Sequence, residues 1–127
     1  MIKAEELKIG NLLNWNTQNK HGNVIIRLID GLDLYKWQID PEYSKDYSPI
    51  PLTPEILEKA GFLEAPKDDP YGFWLYDIGQ SHKIRIMQDE FKQWVWNNQG
   101  FIVPIPFAHT LQNLIFSLTN SELTINI

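Results

Sequence analysis

The alternation of apolar and polar positions switches between two periods along this chain, and each switch marks an element. Leu12 to Asn16 reads as a strand, with Leu13 and Trp15 on one face. Asn23 to Ile29 alternates as well, with Val24, Ile26 and Leu28 opposite Ile25, Arg27 and Ile29. Asp30-Gly31 is a two-residue hairpin signal. It predicts a return strand over Leu32 to Ile39 that gathers Tyr35, Trp37 and Ile39 on one side. Residues 3–9 read as a helical turn closed by Gly10-Asn11. Three short strands after an Ile-Gly-Asn entry predict a strand-rich, SH3-like lobe over residues 1–49.

The period then becomes helical. Thr53 is placed as an N-cap, Pro54 at the first helical position, and Glu55 in the first turn. Gly61 is placed as the left-handed stop, with Phe62 folding back toward Leu57. Residues 50–62 therefore form a short connector helix, which needs a core to dock on.

Past a polar loop, the period returns to two. Phe73–Ile78, His82–Met87, Lys92–Asn97 and Phe101–Ile105 are separated by short polar turns, which predicts an antiparallel meander. Pro104 and Pro106 place the last strand at an edge. From Phe107 to Thr119 the apolar residues Phe107, Ala108, Leu111, Leu114, Ile115 and Leu118 share one helical face, expected to cover the meander. Asn120 is the expected stop, and Thr124–Ile127 a final short strand. The fold class is α+β. It is one compact domain over 1–127, with a strand-rich lobe (1–49), the connector helix (50–62), and a meander with its C-terminal helix (63–127).

Composition narrows the chemistry. There are no cysteines, which removes thiolate nucleophiles, Cys-ligated zinc and disulfide frameworks, and fits a cytoplasmic setting. No apolar run approaches the length of a membrane span. The formal net charge is −5, and no segment is basic, which opposes a partner such as duplex nucleic acid. Five tryptophans in 127 residues require burial or a partner.

Three blocks carry a resemblance. They are Glu-Glu-Leu-Lys-Ile-Gly-Asn (5–11), Pro-Ile-Pro-Leu-Thr-Pro-Glu-Ile-Leu-Glu-Lys-Ala-Gly-Phe (49–62) and His-Thr-Leu-Gln-Asn-Leu-Ile-Phe-Ser-Leu-Thr-Asn-Ser-Glu-Leu (109–123). Together they resemble a family of small uncharacterised proteins of Bacteroidetes bacteria and their prophages. Thr110 stands where that family has Gln. The resemblance implies a cytoplasmic protein in a mobile-element setting, and it carries over no site residue.

The chemical motifs are sparse. His21, His82 and His109 lack metal-ligand spacing. No phosphate loop or nucleophile elbow occurs, and Asp68-Asp69 and Asp89-Glu90 fall in solvated turns. We therefore expect no catalytic residue, no metal and no cofactor. Two features remain as a candidate binding surface. One is the aromatic set Trp74, Tyr76, Trp94 and Trp96, whose pairs at i, i+2 each share a strand face. That face is either core or an exposed stacking platform. The other is Phe116 beside His109, Gln112 and Asn113, opposite the apolar stripe of the last helix.

The leading expectation is a non-catalytic binding or adaptor protein acting through protein–protein contacts, with self-association as its simplest form. The alternatives are a nucleic-acid module using Lys20, Arg27 and Lys36, and a small carbohydrate-active enzyme. The enzyme would need two converging carboxyl groups.

Overall fold

A computed structural model describes residues 2, 6–16, 24–65, 73–79, 82–98 and 100–126. The protein is α+β, with two antiparallel sheets and three α-helices among the described residues. It divides into two compact units. The first joins residues 1–51 to 107–122; the second joins 52–106 to 123–127.

In the first unit, β1 (Leu12–Asn16) pairs antiparallel with β2 (Val24–Leu28) on one side. On its other side it pairs with β3 (Tyr47–Ser48). The expected third strand, Leu32 to Ile39, is instead the helix α1 (Gly31–Ile39). Asp30 explains the correction. Its carboxylate accepts the Asp33 N–H at 2.8 Å, and the Asp33 carboxylate accepts the Asp30 N–H at 3.0 Å. This reciprocal capping box satisfies two orphan donors of a starting helix, which a hairpin at Asp30-Gly31 does not. The SH3-like expectation keeps its first two strands and loses the third to this helix. Leu13, Ile29, Trp37 and Tyr47 form the unit's core with Ile2.

The last helix, α3 (Ala108–Thr119), was expected over the meander; it belongs to the first unit and packs on β1. It ends at Asn120, with φ 56°, in the left-handed conformation expected there.

In the second unit, α2 (Pro54–Lys59) follows its sequence signals closely. The Thr53 hydroxyl accepts the Ile56 N–H at 3.2 Å. Gly61, at φ +94°, and Phe62 donate to the Glu58 and Leu57 carbonyls, each at 3.0 Å, which is the Schellman pattern. The five-stranded sheet runs in chain order: β4 (Leu63–Glu64), β5 (Trp74–Gly79), β6 (His82–Gln88), β7 (Trp94–Asn98) and β8 (Phe101–Pro104). The four expected strands of the meander are β5 to β8, β4 adds a fifth where the sequence reads as helix end and loop, and β8 is an edge. The Ile105 N–H reaches the Trp94 carbonyl at 2.8 Å, so odd-numbered residues of β8 face β7 and even-numbered ones face outward. Pro104 occupies an outward position, so it withholds one donor from the free edge. Thr124–Asn126 is not a strand; the Asn126 N–H donates to the Lys59 carbonyl at 3.1 Å, at the end of α2.

Candidate functional site

The eight residues proposed as a binding surface fall in two units: Trp74, Trp94, His109 and Gln112 are buried, and Tyr76, Trp96, Asn113 and Phe116 are half-buried. Trp74, Tyr76, Trp94 and Trp96 do share one face of the five-stranded sheet. The register sets Trp74 beside Ile86 beside Trp96, Tyr76 beside Ile84, and Trp94 beside Gln88. That face is core. Trp74 and Trp94 are each 8% exposed, and Ile84 and Ile86 are fully enclosed. Tyr76 stacks on Phe62 with ring centroids 4.9 Å apart. Each ring hides roughly 150–250 Å² by being buried, which outweighs its use as a platform.

In the second set the polar groups are engaged within the first unit. Gln112 is buried: its Oε1 accepts the Leu12 N–H at 2.9 Å, and its Nε2 donates to the Gly10 carbonyl at 3.1 Å. Asn113 accepts from the buried Asn11 side chain at 2.9 Å and donates to the Glu6 carbonyl at 2.8 Å. These amides clamp the N-terminal segment to α3. Phe116 lies 4.4 Å beneath the Lys8 ammonium, which also pairs with Glu122. His109 is buried against the Phe107 ring, 5.6 Å between centroids, with Nε2 3.9 Å from a Glu6 carboxylate oxygen. Burial lowers its pKa, and the Glu6 charge only partly opposes that. What the sequence pattern took for a far side of α3 is the side that receives residues 6–12, a contact between segments more than a hundred positions apart.

The most perturbed acid lies on α1. The Asp33 carboxylate is buried, which pushes its pKa up. Bonds from the Tyr43 hydroxyl at 2.6 Å and from the Asp30 backbone, with Arg27 at 3.0 Å, more than offset that and lower it. The same burial and bonding push the Tyr43 hydroxyl far up. Arg27 also donates to the Tyr47 hydroxyl at 3.0 Å. The cluster ties α1 to β2 and β3 through Arg27 and Tyr47. It also occupies the Arg27 cation that a nucleic-acid site would use; Lys20, His21 and Asp68-Asp69 lie outside the described residues. Among the described residues, no three metal-ligating side chains converge, and no helix is long and apolar enough to cross a membrane.

Two surface features were missed at the sequence level. On α1, Leu32, Tyr35 and Ile39 are 60%, 60% and 63% exposed. At 100° per residue they fall within about 60° of one another, opposite the buried Asp33 and Trp37. Ile9 is also exposed, and its Cδ1 lies 3.7 Å from where a Gly31 Cβ would sit. Asp30, Lys36, Gln38 and Asp40 are exposed around this strip. The Asp30-x-x-Asp33 spacing was the signal that would have revealed it.

The other feature is in the second unit. The β6–β7 turn is stitched by Asp89, whose Oδ1 accepts the Phe91 and Gln93 N–H groups, each at 2.9 Å. Lys92 sits there at φ 63°, with its carbonyl held by Gln88 Nε2 at 3.1 Å. Beside the turn is a cavity of about 380 Å³ lined by Lys92, Gln93, Trp94, Pro104 and Pro106. No sequence signal marks a lysine for a left-handed position.

No family model, curated protein or solved structure matches this chain.

Proposed function

We infer that the protein is a non-catalytic binding protein that works through protein–protein contact at the outward face of α1. The observation that carries this reading is the exposed strip of Leu32, Tyr35 and Ile39 on a helix whose opposite face is anchored. A solvated helix normally turns polar residues outward; this one turns an aromatic and two large aliphatics. Tyr35 combines a large apolar ring with a polar end, the composition of an interface anchor, and exposed polar residues surround it. The helix is held beforehand by its capping box and by the Arg27–Asp33–Tyr43 cluster, so little ordering is lost on binding.

The test is the triple variant Leu32→Ala, Tyr35→Ala, Ile39→Ala. Because the three side chains are exposed, its unfolding free energy should stay within about 1–2 kcal/mol of the parent. Capture of a protein partner by the immobilised parent, or self-association seen by light scattering, should be lost in the variant. Capture and self-association that persist unchanged would remove this reading.

A further inference from the structure

The geometry points to the cavity beside the β6–β7 turn as a site for a carboxylate carried on a small apolar or aromatic group. Three of its lining residues, Trp94, Pro104 and Pro106, are apolar, and the other two are Lys92 and Gln93. A volume of about 380 Å³ lies at the small end of the range for ligand pockets, enough for one ring and its substituent. The charge selects the ligand's sign. Among the described residues Lys92 is the only charged one in the lining, and the nearby Asp89 carboxylate is turned to the backbone, where its Oδ1 accepts two N–H groups.

The backbone supplies an independent argument. Lys92 has φ 63°, in the left-handed region where glycine is at home and a lysine is strained. The turn holds it there through the Lys92 N–H to the Asp89 carbonyl at 3.0 Å and the Gln88 bond to its own carbonyl. Strain of this kind concentrates where a side chain must be aimed. Here it fixes the backbone of a cavity-lining lysine on a closed turn. This inference does not depend on the α1 face.

Nitrogen-15-labelled protein titrated with phenylacetate and with 2-phenylethylamine provides the test, since the two share a ring and differ in charge. Phenylacetate should move the amide resonances of Lys92 and Gln93 and the indole N–H of Trp94, with a Kd of about 1 mM. The amine should leave them in place. Lys92→Gln should weaken phenylacetate binding at least about fivefold. Lys92→Gly, which relieves the left-handed strain, should weaken binding equally while raising Tm. N-acetyl-Ala-Phe and its C-terminal amide then separate two sources of the same chemistry. Binding of the free acid tighter than phenylacetate indicates a peptide chain end, and weaker binding indicates a free small carboxylate. Equal shifts with the amine, unchanged binding by Lys92→Gln, or no shift at about 20 mM phenylacetate would overturn the proposal.

Discussion

At the scale of single residues, the first unit is held by polar side chains that a hydrophobicity pattern treats as surface. Gln112 satisfies one buried donor, on Leu12, and one half-buried acceptor, on Gly10. Replacing it with Ala leaves both unpaired, and each unsatisfied group costs about 1–3 kcal/mol. We expect Gln112→Ala to lower the unfolding free energy by about 2–4 kcal/mol in urea denaturation, with no compensating gain from the lost side-chain area. Asp33 is a similar case with charge. Arg27→Met would leave its carboxylate buried with only neutral donors, the Tyr43 hydroxyl and the Asp30 N–H, and the expected loss is about 3 kcal/mol. His109 gives a pH dependence whose sign is determined. Its pKa in the folded protein is below the ordinary 6.5, so the unfolded chain binds more protons in the window beneath that value. Stability from this residue is therefore complete above 6.5 and declines as pH falls through 6.5 toward the lowered folded value. Urea midpoints measured at about pH 7.5 and pH 5.5 should differ less in His109→Gln than in the parent. An equal difference in both proteins would remove His109 from the pH dependence.

At the scale of elements, caps and turns decide more than propensity does. For α2, every terminal residue named from the sequence occupies the expected position. Gly61→Ala tests the stop by itself. A Cβ there would meet the Tyr76 ring at 3.6 Å, an ordinary contact, so the penalty is conformational and should be about 1 kcal/mol. The edge strand β8 makes a prediction about its amides. Ile102 N–H faces outward and should exchange with solvent quickly, whereas Val103 and Ile105 face β7 and should exchange slowly. A hydrogen-exchange profile without this alternation would contradict the register. The exposed Phe101 and Ile102 on this edge are kept from templating a longer sheet by Pro104, which offers no N–H.

The element that the sequence misled on is α1, and the reason is local. Asp30-Gly31 is a strong hairpin dipeptide, and Tyr35, Trp37 and Ile39 alternate as a strand would. Both signals are short-range. The capping box competes with them locally, but what settles the matter is Trp37, which as a helical residue packs between Tyr43 and Tyr47, 6.1 and 5.2 Å away between centroids. Those rings come from the segment after the helix, which the alternation within 32–39 does not weigh.

At the scale of the whole molecule, chain order and spatial order part company. Residues 52–106 interrupt the first unit, whose closing helix arrives only at 107–122. A chain ending at Pro106 lacks Gln112, so its Leu12 N–H should exchange freely and the N-terminal segment should lose protection, as hydrogen exchange would report. Closing contacts about a hundred residues apart also implies slow folding of that unit relative to the local meander.

The elements whose signals lie within a few residues of one another were determined by the sequence alone: α2 with its caps, the four long strands of the meander, α3 and its Asn120 stop, and the α+β class. Capping and alternation are local physics, and local physics can be read from a string. The tertiary structure alone decided which faces are inside. It turned the tryptophan face into core, and the amides of α3 into a clamp on residues 6–12. It left the strip on α1 and the Lys92–Trp94 cavity open to solvent. Burial is a property of what a distant segment brings to a surface, and no residue encodes the arrival of its neighbour a hundred positions away.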